Sequence, residues 1–539
     1  MKKLFVLLFI VNQSFSNEIG TWKDYYSYNG AKKVFYQNNQ TYCITNNGLF
    51  SYNDNNELFL YNKLNFTNDY GINNLAFGLN TFIISYENSN IDIIEDDITT
   101  SITDIKNLEI AGKRINNLTV IDNELFVSAS YGISKINLIK KEISDTYYLY
   151  MNGESVEIND FKKIDDYYLA ATSSGVFKAE QNSLLNDPNN WNQIDTNSNV
   201  VKIINGSRVI FFYKNETETN YKVSEDLSNV SSILISANGL NDITYGNNKF
   251  LFVYDNSVVT SINGIDTLDN YNENSRPVKF KSACYDNQNN IWIADSINGL
   301  IKVTNSIIES NILPNGPASN SIFDLNFSDS KLYMSHGGHS NYNVNNLNYQ
   351  GVSILENNSW ANYSSQFLGN SRDIVSSTTN GDYEYFASWY DGVSEISSDN
   401  LSNKFGYNNT NGILDTTYYS NNRIQISDLK FDNYGNLWGL NSQVQKPLFV
   451  KTPQNEWYSY TLNLAIEGLY FDEILIDNTG QKWGIIAKGS GKGLFVYDDN
   501  NTIDNQYDDQ YKLITTSVGQ GALPNNNVNC ITKDRNGEI

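Results

Sequence analysis

The sequence predicts an all-β protein built as tandem β-propellers, and three observations carry that expectation. The first is a recurring unit. Residues 428–438 read DLKFDNYGNLW, 283–292 read ACYDNQNNIW and 473–483 read EILIDNTGQKW. Each is a strand, a tight turn of Asp, Asn and Gly, and a second strand opening on an aromatic. The second observation is composition: 38 Tyr and 26 Phe suit half-buried sheet surfaces and abundant Asn suits turns, while helical periodicity with caps is almost absent. The third is the period. A unit of roughly 40 residues with three or four short strands cannot bury its apolar face alone and must stack on its neighbours, as a propeller blade does.

Taken in chain order, Met1 to Ser16 (MKKLFVLLFIVNQSFS) reads as a secretory signal cleaved before Asn17. Two lysines precede an apolar run from Leu4 to Val11, and Ser14 and Ser16 stand at −3 and −1. The run is too short to cross a bilayer as a helix, and no later segment is a transmembrane candidate. Plainer copies of the unit follow. They begin at Val34 (VFYQNNQTYCITNNG), Asn73 (NNLAFG), Asn116 (NNLTVIDNELFV), Ile158 (INDFKKIDDYYLAATSSGVFKA), Val201 (VKIINGSRVIFFYKN), Leu240 (LNDITYGNNKFLFVY) and Ala283. Seven units make a first propeller over residues 17–320, and LPNGPAS from Leu313 reads as the boundary.

Later copies begin at Ser321, Arg372, Asp428, Glu473 and Asn529, with wider spacing and insertions such as HGGHSNYNVNNLNYQ from His336. Propellers use four to eight blades, so eleven units and a cut-off twelfth require two rings. The expectation is two rings of seven, the second incomplete over residues 321–539. Within the unit, Asp432 and Asp477 are expected to cap the tight turn that Gly435 and Gly480 complete, and Trp292, Trp438 and Trp483 to pack between blades. The full calcium-loop pattern is absent.

Sixty acidic against 37 basic residues give a net charge of −23, which argues against nucleic acid as a partner. Cys43, Cys284 and Cys530 are too sparse and scattered for a disulfide framework. No nucleophile elbow, zinc-protease motif or Walker loop occurs. His336 and His339 are the only histidines and supply at most two metal ligands, so no metal, cofactor or catalytic residue is expected.

The blocks FDNYGNLWGL, YDNQNNIWIADSINGLIKV and IDNTGQKWGIIAKGSGKGLFVYD resemble the two-component-regulator propeller repeat of hybrid receptors. The opening of the mature chain, NEIGTWKDYYSYNGAKKVFYQNNQTYCITNNGLFSY, resembles a narrower group, the PorZ-like components of the Bacteroidetes type IX secretion system. That resemblance implies two seven-bladed propellers followed by a C-terminal sandwich or sorting domain, expected beyond residue 539 because the sequence stops inside a unit at NGEI. It also implies a non-enzymatic protein at the cell surface or outer membrane. Such a protein would bind anionic lipopolysaccharide or another glycan and work with a PorU-like sortase peptidase and outer-membrane attachment proteins. The alternative is a periplasmic carbohydrate-sensing ectodomain of a hybrid two-component receptor. For glycan or phosphate binding the candidates are Trp360, Trp389 and Tyr390, whose rings could stack on sugars, and Arg372 and Arg208, whose guanidiniums could pair with phosphate.

Overall fold

The computed structural model describes residues 22–539 apart from positions 79, 97, 198, 226, 228–232, 306, 341–342, 419, 421, 463–467 and 487–491. The turns explain why the chain folds as short hairpins. Asn38–Asn39, Asn247–Asn248 and Asn357–Asn358 hold φ of 52° and 61°, 49° and 60°, and 48° and 63°. Two successive residues at positive φ define the type I′ turn, whose twist matches that of the flanking strands. Register agrees: Gln37 faces Gln40, Gly246 faces Lys249 and Glu356 faces Ser359. Asparagine therefore does turn work usually given to glycine. Glycine is kept where nothing else fits. Gly351 opens its strand at φ +74°, where a Cβ would lie 2.0 Å from the Tyr363 carbonyl oxygen of the neighbouring strand.

Among the described residues these hairpins assemble into eleven four-stranded sheets, each formed by four consecutive antiparallel strands. The chain divides into two compact units, Met1–Pro314 and Asn315–Ile539. The first holds blades one to seven, at 31–61, 72–102, 115–147, 158–195, 200–236, 240–272 and 280–312. The second holds blades eight to eleven, at 324–363, 374–405, 425–460 and 471–514. This is the tandem β-propeller architecture that the repeat predicts.

The core lies between blades. Seven apolar clusters of the first unit each join two neighbouring blades, and the cluster of Tyr28, Val34, Cys43 and Phe50 with Trp292 and Leu300 joins blade one to blade seven. The first ring is therefore closed. Among the described residues no strand is exchanged between blades one and seven, so side chains perform the closure, by this packing and by the hydrogen bond from Asn287 to Asn39 (3.1 Å). In the second unit three clusters join the four blades in order. There the first strand of blade eight, Asp324–Ser328, leaves Leu325 and Phe327 exposed, whereas Val34 on the first strand of blade one is buried.

Candidate functional site

The site of greatest chemical interest grows from a bulge that recurs in the first strand of every blade of the first unit. Register shifts after Ala31, Ile72, Ile115, Ile158, Val200, Leu240 and Phe280, each leaving one residue unpaired. A bulge re-aims the side chains that follow it. Four of the extra residues are asparagines that staple their blade to the next. Asn73 donates from Nδ2 to the Ile115 carbonyl (2.7 Å), Asn116 to Ile158 (2.8 Å), Asn159 to Val200 (2.8 Å) and Asn241 to Phe280 (2.9 Å).

The residues just after the bulges, one per blade, are Lys33, Asn74, Asn117, Asp160, Lys202, Asp242 and Ser282. They bond to one another across blade boundaries. Lys33 Nζ donates to Asn74 Oδ1, Asn117 Nδ2 to Asp160 Oδ1 (2.6 Å), Lys202 Nζ to Asp242 Oδ1 (2.6 Å) and Ser282 Oγ to Asp242 Oδ2 (2.9 Å). A cavity of about 560 Å³ touches all seven blades at this girdle.

Six lysines line that cavity: Lys32, Lys33, Lys162, Lys202, Lys214 and Lys281. Three have carboxylate partners, Lys202 with Asp242 (2.6 Å), Lys162 with Asp160 (3.5 Å) and Lys32 with Glu87 (3.3 Å). Lys33, Lys214 and Lys281 have none within 4.0 Å among the described residues. Burial, reinforced by Lys202, pulls the Lys33 ammonium down to about 8, and burial followed by repulsion from Lys279 also lowers Lys281. An acidic protein thus carries a cationic channel.

The second unit contains a cavity of about 510 Å³ with the opposite character, bordered by Asp324, Asp428, Glu473 and Lys430. Burial, then Asp428, raises the Asp324 carboxyl to about 6. No group of three or more His, Cys, Asp or Glu side chains able to hold a metal occurs among the described residues. His336 is buried between the Ser321 carbonyl (2.9 Å from Nδ1) and Ser353 Oγ (2.7 Å from Nε2), while His339 lies against the Trp389 ring at 4.3 Å.

The residues expected to bind glycan or phosphate fall in different settings. Arg372, Trp389 and Tyr390 come together at blade nine. The Arg372 guanidinium clasps Asp391 through Nε (2.9 Å) and an NH2 group (2.8 Å) and lies 3.7 Å above the Tyr390 ring, which Arg423 also approaches. That fork is already occupied by a carboxylate. Trp389 is fully buried, donating to the Asn343 carbonyl (3.2 Å), and Trp360 is buried in blade eight. Neither indole lies open to a sugar. Arg208 belongs to the first unit and pairs with Glu225 at 2.9 Å.

The recurring turn has a common geometry. Asp432 Oδ1 accepts from the Tyr434 and Asn436 backbone N–H groups (both 2.9 Å), and Oδ2 accepts from the Trp438 indole (2.9 Å). Asp477 repeats this with Thr479, Gln481 and Trp483, and Asp286 with Gln288, Asn290 and Trp292. Gly435 and Gly480 supply φ of 80° and 91°, and Asn289 supplies 64° at the same place in blade seven. One carboxylate therefore ties the turn to the tryptophan. Asp432→Ala is expected to cost about 1–2 kcal/mol, by analogy with the loss of a capping side chain, and denaturant unfolding followed by circular dichroism checks it.

Sequence reading missed the girdle, although a signal was present. I-N-N-L at 72–75 and 115–118, I-N-D-F at 158–161 and L-N-D-I at 240–243 share an apolar residue followed by Asn and a second Asn or Asp.

Together these features define a tandem β-propeller protein whose first ring has a closed, lysine-lined axial channel. Residues 41–192 match the family described as the N-terminal β-propeller domain of PorZ, of the TSS9 system. Over those residues the chain is similar to that domain. Among solved structures it is similar in fold to PorZ of Porphyromonas gingivalis, with a TM-score of 0.78, 19% identity, and coverage of 96% of this chain and 71% of that one. That protein is an essential bacterial surface component of the type IX secretion system. The extracellular domain of a hybrid two-component system from B. thetaiotaomicron matches at a TM-score of 0.41 and 13% identity, covering 95% of this chain and 74% of that one. That likeness is too loose to bear on function. No curated protein matches the chain in sequence.

Proposed function

We propose that the chain is an exported, non-enzymatic surface component of a type IX secretion attachment complex. In this reading it binds anionic lipopolysaccharide or a related glycan and assists a sortase-like peptidase. The observation that carries the reading is the match of residues 41–192 to the PorZ N-terminal propeller family. The signal-like N-terminus supports export, and no helix among the described residues is long and apolar enough to cross a membrane.

A pull-down with the tagged protein from detergent-solubilised outer membrane, read by mass spectrometry, tests it. Co-recovery of a sortase-like peptidase and lipopolysaccharide is the expected result. Recovery of neither, with tight binding of a soluble neutral oligosaccharide, would overturn it in favour of a carbohydrate-sensing ectodomain.

A further inference from the structure

We infer that the axial channel of the first propeller is a binding site for an anionic saccharide, whose oxyanion groups are taken by Lys33, Lys214 and Lys281. The inference rests on the proposed function only for the source of the glycan. Three facts carry it. The ring is closed, so the channel is a built cavity and not a gap between loose elements. Three of its lysines, from blades one, five and seven, have no carboxylate within 4.0 Å among the described residues, although the chain as a whole carries a net charge of −23. Lys33 and Lys281 are half-buried, and such an ammonium without a counter-charge is destabilising until an oxyanion arrives, while Lys214 is exposed and adds its charge to the same wall. Finally, about 560 Å³ falls in the range that encloses a drug-sized ligand, and the wall mixes amides such as Asn116 and Asn159 with the rings of Phe35 and Tyr36. Amides and aromatic faces recognise sugar hydroxyls and sugar rings.

The site is linked to protons. Lys32 and Lys202 push the Lys33 ammonium downward, Asp242 and Asp160 push it upward, and burial prevails to leave it near 8. An oxyanion at Lys33 raises that value, so binding takes up a proton. Affinity is then greatest below about pH 8 and falls as pH rises through 8 toward the ordinary lysine range.

The test is titration calorimetry on the full chain with a heparin-derived sulfated hexasaccharide, maltohexaose and inorganic phosphate. The sulfated sugar is expected to bind and maltohexaose not to. Lys33→Gln, and separately the double variant Lys214→Gln/Lys281→Gln, are each expected to weaken binding at least tenfold. Lys446→Gln, an exposed lysine of the second unit, is expected to change nothing. Comparison of two buffers with different ionisation heats at pH 8 is expected to show proton uptake that Lys33→Gln lacks. Undiminished affinity in the double variant, equal binding of maltohexaose, or phosphate binding as tight as the hexasaccharide would each overturn the assignment. The double variant decides alone should Lys33→Gln fail to fold. Lipopolysaccharide capture that the double variant leaves intact sinks this site and spares the proposed function. Hexasaccharide binding without lipopolysaccharide capture does the reverse.

Discussion

Trp292→Ala is expected to destabilise the first propeller by about 3–5 kcal/mol, the range for truncating a buried aromatic. The indole is 2% exposed and belongs to the cluster that joins blade seven to blade one. It lies 5.7 Å from Tyr52 of blade one, Lys302 sits over its ring at 5.0 Å, and its N–H donates to Asp286 Oδ2 at 3.0 Å. Every other blade interface in this ring joins blades that follow one another in the chain. The closing interface joins the two ends of the ring, so its contacts offset the largest loop-closure entropy, and among the described residues no shared strand helps them. Trp292→Phe keeps most of the buried ring and loses the remainder together with the Asp286 bond, so about 1–2 kcal/mol is expected for it. Urea unfolding followed by far-ultraviolet circular dichroism checks both. A loss below about 1 kcal/mol for Trp292→Ala would mean that closure rests elsewhere in the cluster.

The recurring turn was legible in the sequence because its parts are local. Asp432 and the tryptophan it holds are six residues apart, and Asn at positive φ announces itself by residue type. Blade number in the first unit was legible for the same reason, since each blade is one uninterrupted run of four strands. The channel was not. Its lysines come from only four of the seven blades, at positions 32–33, 162, 202, 214 and 281, and a net charge of −23 conceals them. The burial of Trp389 was not legible either, because the turn around it packs its ring against His339 and Tyr470, which lie about fifty and eighty residues away in the chain. The partner of Arg372 was hidden as well, because Asp391, nineteen residues away, is brought to it only by the hairpin between them.

Asp160→Ala carries the second large expected effect, about 3–5 kcal/mol, and it probes how one blade holds the next. Asp160 follows the bulge of blade four and is 1% exposed. Its Oδ1 accepts from the Phe161 backbone N–H (2.8 Å) and from Asn117 of blade three (2.6 Å), and its Oδ2 accepts from the Ile203 backbone N–H of blade five (2.9 Å). One carboxylate therefore bridges three blades. Asp428 repeats the arrangement in the second unit, accepting from Leu429 (2.8 Å), from Ser376 of blade nine (2.5 Å) and from Ile474 of blade eleven (3.0 Å). Two units with differently charged cavities thus share the same staple, which points to blade-to-blade stitching as its role.

Removing the carboxylate leaves the buried Ile203 N–H without an acceptor and takes from Lys162 its partner at 3.5 Å, the two mechanisms that make such losses large. Asp160→Asn separates charge from geometry. The amide keeps one acceptor oxygen and turns an NH2 group toward a donor, so about half the loss should remain. Thermal unfolding of the three proteins at matched pH reads the series. Equal stability of wild type and Asp160→Asn would show that a single acceptor suffices, and that the negative charge at the girdle serves the neighbouring lysines and not the fold.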